Sequence, residues 1–226
     1  MEKNKRIVDK ETKIVTFLIS RKEKDRVCSR YHVDEEMAKE IEKIIQLTEE
    51  NVGKKASIHF QMQAKDIRPT ETAPVLTALD SGLRCSLKRW GLLGFQEKQV
   101  IFNARSESAL EKKIFKEGVE YRRIVIPAAW FYEWNHNKEK NVFYRKGKSV
   151  LFMAGIYNHY EDGDHFTILT TQANASMKPI HDRMPLVLEE SEIIPWIFDR
   201  HKAIEFLQKV PCLLDRKAEY EQMSLL

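Results

Sequence analysis

An α+β fold with mainly antiparallel sheets is predicted by three features of the chain. Candidate strands cluster between residues 100 and 190, with turn residues between them. They do not alternate with helical segments, which argues against a doubly wound parallel sheet. Helical periodicity is confined to a few separate segments before, within and after this cluster.

Taken in order, residues 1–26 are dense in charge, and their one apolar run, residues 14–20, predicts no more than a short strand. That run is far shorter than the ~20 residues a membrane span needs. It is followed by Arg21-Lys22-Glu23-Lys24 and no small-residue cleavage site, so neither a signal peptide nor a membrane anchor is expected. From Asp34 a helix is predicted: Asp34 caps it, Glu35 and Glu36 suit its positive end, and Met37, Ile41, Ile44 and Ile45 recur at helical spacing. Asn51-Val52-Gly53 would end it. Residues 66–80, with Pro69, Thr70 and Pro74, predict an irregular loop. Trp90-Gly91-Leu92-Leu93-Gly94-Phe95 is an apolar stretch punctuated by glycine, and Val100 to Phe102 reads as a short buried strand ending at Asn103. A helix is expected over 106–115, then strands over 123–126, 142–145, 150–157 and 166–170, with Lys146-Gly147-Lys148 as a hairpin turn. A strand over 185–188 and short helices over 190–197 and 201–208 complete the reading. No internal repeat or low-complexity linker is present.

The 226 residues suit one domain with an appendage: an extension over 1–26 and a single domain over 27–226. With 42% apolar and 10% aromatic residues the chain is neither disordered nor collagenous, and 32% charged residues with mean hydropathy -0.49 place it among soluble globular proteins. The net charge is +4. Residues 1–26 hold nine Lys/Arg and five Asp/Glu, which leaves 29 of each in 27–226, so the working domain is formally neutral. Any contact with nucleic acid must then depend on local clusters rather than bulk charge. Three cysteines exclude a disulfide framework and fit a reducing, cytoplasmic setting.

Four stretches place reactive side chains beside aromatic or turn residues. In the first, Val27-Cys28-Ser29-Arg30-Tyr31, Arg30 is expected to favour a Cys28 thiolate, the alternative being an inert apolar filler. Cys85 and Cys212 have no such company and are read as structural. Cys28 and His32 lack the second Cys or His pair that a zinc site requires, so no metal or other cofactor is expected. In the second, Asn103-Ala104-Arg105-Ser106-Glu107, a strand-to-helix junction offers either a helix cap or a phosphate or carboxylate site. In the third, Glu133 sits among Trp130, Phe131, Tyr132 and Trp134. It is either exposed by strand alternation or buried with a raised pKa as a general acid/base, and the aromatics are either core or platforms for bases. In the fourth, His181 precedes Asp182-Arg183-Met184-Pro185, a setting for either an ordinary polar residue or proton transfer.

In this order and spacing, the four stretches resemble the SOS response-associated peptidase family. Its pattern begins Met-Cys-Gly-Arg and continues with Asn-Ala-Arg-x-Glu, Pro-x-x-x-Trp/Phe-x-Glu-Trp and His-Asp-Arg-Met-Pro. Here the matching runs are Cys28 to Arg30, Asn103 to Glu107, Pro127 to Trp134 and His181 to Pro185, and the resemblance covers about residues 27 to 215. It implies a barrel-like core with flanking helices and an abasic-site sensor, a monomer acting on single-stranded DNA. Such a protein would form a covalent thiazolidine crosslink through an N-terminal cysteine, here Cys28, and would carry an autopeptidase activity that exposes it. The resemblance also implies that Asn103 positions the amine and sugar, Glu133 acts as acid/base, and His181 donates a proton to the sugar. Arg30, Arg105 and Arg183 would hold phosphates with help from Thr170, while Trp90 and Trp134 would stack on bases.

Two departures stand out: Ser29 replaces the family's Gly, and 27 residues precede Cys28 where the family has Met alone. The expected explanation is an internal start at Val27, since a GTG codon reads as Met when it initiates. A self-cleaved propeptide and a retained extension are the alternatives. A cysteine peptidase built on Cys28, His181 and Glu133, and a single-stranded DNA binding module without chemistry, are the competing functions.

Overall fold

The computed structural model describes residues 27–50, 63–80, 82–94 and 99–218. The chain begins with β1 (Arg30–Val33), α1 (Glu35–Glu50), β2 (Lys65–Ile67), β3 (Thr72–Leu79) and β4 (Gly82–Trp90). Next come β5 (Leu92–Leu93), β6 (Val100–Ile101), β7 (Asn103–Arg105), a 3-10 turn (Ser106–Ser108) and α2 (Lys113–Tyr121). The strands β8 (Arg123–Ala128), β9 (Trp130–Trp134), β10 (Lys140–Tyr144), β11 (Leu151–Tyr160) and β12 (Gly163–Gln172) follow. After β13 (Arg183–Pro185) and β14 (Val187–Leu188), a second 3-10 turn leads to α3 (Ile193–Phe198), α4 (Arg200–Phe206) and β15 (Asp215–Ala218).

The predicted α+β class holds, and its centre is a closed barrel. β4, β3, β8, β11 and β12 pair in sequence, and β12 returns to pair with β4, so none of the five has an open edge along the ring. All these pairings are antiparallel except β4 with β12, which is parallel through Phe166 opposite Trp90. β7, β13 and β14 extend the barrel at one rim. The second sheet has the order β15-β10-β9-β1-β2. The two sheets share one path, because β8 runs into β9 with only Ala129 between them, and the Ala129 N–H donates to the His32 carbonyl at 2.9 Å.

The core follows from strand alternation and one amphipathic helix. Met37, Ile41, Ile44 and Ile45 of α1 are buried, as their spacing predicts, and the Asp34 carboxylate accepts from the Met37 N–H at 2.8 Å as the cap. β8 is buried along its whole length, as a strand covered on both faces must be. Arg123 on β8 is also buried, and its guanidinium donates to Val119 and Glu120 at the end of α2 and to Trp196 and Ile197 in α3, at 2.6–2.8 Å. One cation thereby occupies the negative ends of two helices and ties both to the barrel.

Four local expectations are corrected. Residues 66–80 are not an irregular loop: Pro69 and Thr70 make a turn, with Thr70 at φ 77, and β3 begins two residues later. Pro74 is tolerated because, counting back from the Leu79–Gly82 pair, its nitrogen points away from β4. On the other side β3 pairs with β8 only at Leu76 and Val125. The turn at Lys146-Gly147 joins no hairpin, since β10 belongs to one sheet and β11 to the other. The helix expected over 106–115 is a 3-10 turn, and the α-helix starts only at Lys113. Residues 185–188 split into two strands, β13 against β12 and β14 against β11. The apolar run at 14–20 and the helix stop at 51–53 lie outside the described residues.

Replacing Arg123 by Met should leave the four carbonyls it serves without a donor. The expected loss is about 2–4 kcal/mol of folding stability, measured by denaturant unfolding, with an unchanged far-ultraviolet spectrum before the transition.

Candidate functional site

The site begins with strand register. β1 pairs with β9 so that Arg30 faces Tyr132 and Tyr31 faces Phe131. One step further along this antiparallel ladder, Glu133 reaches the segment just before β1. Its Oε2 accepts from the Cys28 backbone N–H at 2.8 Å, in a buried setting. Asn103, the first residue of β7, arrives from the barrel side, where β7 lies parallel to β12 with Asn103 opposite Ile168. The Asn103 Nδ2 donates to the Val27 carbonyl. The peptide bond between Val27 and Cys28 is therefore held at both polar atoms, the carbonyl by Asn103 and the N–H by Glu133.

Cys28 also adopts φ 52, in the left-handed region. A side chain there costs roughly 1–2 kcal/mol. The left-handed residue is the cysteine itself and not Ser29, so the hydroxymethyl group that replaces the family's glycine meets no backbone penalty.

Burial sets the charges. Cys28 is 0% exposed, and burial first, then the neighbouring Glu133 charge, pushes its thiol well above the ordinary value. The expectation that Arg30 favours a thiolate is thus not met. Arg30 lies over the rings of Trp134 and Tyr132, at 5.2 and 5.8 Å, with Asp66 at 3.9 Å. Glu133 is 5% exposed, and burial raises its carboxyl to about 7, opposed by the N–H groups of Cys28 and Trp134. Of the two placements open to Glu133, exposed by strand alternation or buried with a raised pKa, the structure shows the buried one. Asn103 Oδ1 and the Tyr31 hydroxyl are buried without a hydrogen-bond partner among the described residues.

The remaining motifs meet at the barrel rim. Arg183 donates to Glu107 at 2.9 Å, to the Thr170 carbonyl at 2.6 Å and to Thr170 Oγ1 at 3.3 Å. Burial works against ionisation of Glu107, but the hydrogen bond and charge of Arg183 and the charge of Arg105 hold its carboxyl below the usual range. Thr170 faces Arg105 in the β12–β7 register. His181 Nδ1 accepts from the Arg183 N–H at 2.9 Å, so the neutral ring carries its proton on Nε2. Trp90 is fully buried, with its Nε1–H on the Phe102 carbonyl at 2.8 Å and its ring stacked on Phe166 at 6.2 Å. It supports the site from within, and the expectation that it offers a face to a base does not fit this placement. Glu107 and Tyr31 were not singled out from the sequence. For Glu107 the signal was present, two residues after Arg105 in the same segment. A wider apolar depression between α3 and α4, beside Ile194, Phe198 and Phe206, contains none of the motif residues.

Barrel, register and motif together define a protein whose buried cysteine segment is gripped between an amide and a carboxyl of raised pKa. The sequence model described as "SOS response associated peptidase (SRAP)" matches residues 27–224, and the chain belongs to this family. Among similar proteins, the abasic site processing protein YoaM of Bacillus subtilis is 30% identical over 176 residues, covering 71% of this chain and 78% of that protein. The abasic site processing protein YedK of Escherichia coli is 27% identical over 169 residues, covering 71% and 72%. A solved structure from Bordetella bronchiseptica shares the fold with a TM-score of 0.68 at 23% identity, covering 84% of this chain and 99% of that one.

The raised pKa of Glu133 has a stability consequence in the uncleaved chain. Below about pH 4.5 both folded and unfolded chains hold its proton. Between about 4.5 and 7 only the unfolded chain has lost it, so this residue costs stability progressively as pH rises, by up to about 3 kcal/mol, with no further change above 7. Glu133→Gln should abolish that part of the decline, measured by urea unfolding across the same pH range.

Proposed function

We propose that this protein crosslinks covalently to abasic sites in single-stranded DNA through Cys28, after the residues before it are removed. The observation that supports this best is the grip on the Val27–Cys28 peptide bond by Asn103 and Glu133. The family membership and the names of the relatives agree with it.

The same groups serve two reactions. In the first, the Cys28 thiol gives its proton to ionised Glu133 as sulfur attacks the Val27 carbonyl carbon. Asn103 Nδ2 stabilises the oxyanion, and the Glu133 carboxyl returns the proton to the leaving amine as the C–N bond breaks. Water then hydrolyses the thioester, releasing the Val27 carboxylate and restoring the thiol. Breaking this bond also frees Cys28 from its left-handed constraint. Internal initiation at Val27, with removal of the initiating Met, reaches the same free Cys28.

In the second reaction the Cys28 α-amine attacks the aldehyde carbon of a ring-opened abasic sugar. The carbinolamine loses water to an imine, and the thiol adds across C=N to close a thiazolidine. Glu133 lies within hydrogen-bond reach of the Cys28 nitrogen and can give and take the protons of these steps. His181, with its proton on Nε2, is the donor that opens the sugar. Arg30, Arg105, Arg183 and Thr170 flank the position as phosphate and sugar contacts, and Trp134 as a stacking surface. A free α-amine is what separates this chemistry from that of a cysteine peptidase, which needs only the thiol.

Expressed from Met1, the wild-type chain should lose residues 1–27 as read by intact mass, while Cys28→Ala and Asn103→Ala remain uncut. A wild-type chain that also remains uncut refutes self-cleavage and leaves the internal start and the retained extension. A chain beginning at Cys28 should give a heat-stable shifted band with abasic single-stranded DNA, reduced more than a hundredfold by blocking the α-amine or by Cys28→Ala. Absence of the band from the unblocked chain refutes the function.

A further inference from the structure

The outer face of the second sheet carries an unassigned arrangement of rings and lysines. Strand alternation turns Trp130, Tyr132 and Trp134 to this face and Phe131 and Glu133 to the other. The register adds His32 opposite Trp130, Lys140 opposite Trp134 and Lys217 opposite Val142. His32 stacks on Trp130 at 4.0 Å with the planes 4° apart, and the Lys140 Nζ lies 5.2 Å from the Tyr132 ring. Between them runs a groove of about 550 Å³, lined by Trp130, Tyr132 and Tyr144 and bordered by Lys140, Lys148 and Lys217. Lys148 and Lys217 are exposed, and neither pairs with a carboxylate among the described residues. The groove's carboxylates, Asp34 and Glu36, stand on the α1 side, and Asp34 is engaged as the helix cap.

We propose that this groove binds the single-stranded nucleic acid that flanks the processed position, with bases over Trp130 and Tyr144 and phosphates along Lys140, Lys148 and Lys217. The inference rests on the proposed function and extends it from the reacting nucleotide to the path of its strand. The layout is polarised as a strand requires, with rings in the middle and cations along one rim. Glu36 on the other rim can accept from base amino groups. Along its own face of β9 the groove leads toward Trp134, which lies beyond its lining. Trp134 lies next to Glu133 on β9, and four residues at ~3.3 Å separate it from Trp130, a span of about four stacked nucleotides at ~3.4 Å each.

The test uses fluorescence anisotropy with unmodified oligothymidylate, beside crosslinking of two abasic oligonucleotides. One is trimmed to the nucleotides next to the lesion, and the other is long enough to cross the groove. For the chain beginning at Cys28, Lys148→Ala/Lys217→Ala should weaken oligothymidylate binding and reduce the slope of log affinity against log salt by about 1.4, at ~0.7 per single-strand contact. Trp130→Ala should weaken binding by about tenfold with the slope unchanged. Both variants should need more of the long abasic strand to reach half-maximal crosslinking, and both should match the wild type on the trimmed one. Unchanged affinity and slope overturn the proposal, as does an equal loss on the trimmed strand. An acidic peptide that competes for the groove without affecting DNA affinity overturns it too. If the wild type crosslinks no abasic DNA, the proposed function fails, and the anisotropy comparison still decides the groove.

Discussion

A carboxyl group out of water with only two backbone N–H groups beside it is poorly solvated, and it stays in place only if the strands on either side fix it there. The hydrogen bond from Cys28 to Glu133 meets that condition through register. β9 cannot slip relative to β1 without turning Glu133 and Phe131 to the aromatic face, because one residue of slip exchanges the two faces of a strand. β9 in turn is the continuation of β8, a strand of the closed barrel. Barrel closure, sheet register and the pKa of one glutamate are thus successive consequences of one chain path. The buried Arg123 fixes the start of that path to two helix ends.

The rim opposite Glu133 is organised by the Arg183–Glu107 pair, which joins two motifs 76 residues apart in sequence. The pair also engages Thr170 and, through the Arg183 N–H, His181. Arg183 and Arg30 therefore do not stand as unopposed cations: each has a carboxylate in reach, Glu107 for one and Asp66 for the other. On the proposed function, a phosphate arriving here would exchange partners with a carboxylate rather than fill an empty positive site. Such an exchange favours geometry over raw affinity, which suits a domain of zero formal charge.

Much of this was legible in the chain. The spacing of Met37, Ile41, Ile44 and Ile45 identified α1 and its buried face, and the apolar runs identified β8, β10, β11 and β12 within a few residues. The four motifs could be read from the chain as candidates because each keeps its reactive residue beside a turn or a strand end. What was missed depends on contacts distant in sequence. β3 contains Pro74, and only the hydrogen-bond alternation with β4 shows that the missing donor costs nothing there. The Lys146-Gly147 turn has the composition of a hairpin, yet its flanking strands separate into different sheets. Trp90 lies between Tyr31 and Phe166, residues brought to it only by barrel closure. Likewise, Arg30 stands two residues from Cys28 in sequence, but its guanidinium belongs to the aromatic face.

With Val27 still joined to it, Cys28 is completely buried, and the proposed function gives that enclosure a chemical consequence. A free N-terminal cysteine in open solution condenses with any small aldehyde it meets, and metabolism supplies many. On the proposed function, Asn103, Glu133 and Tyr31 would shield the same group from such casual reagents. An aldehyde that is drawn in by its own phosphates can dwell long enough to react. Burial would then act as a chemical filter for the proposed reaction: it would slow the nucleophile toward everything and leave affinity to choose the electrophile.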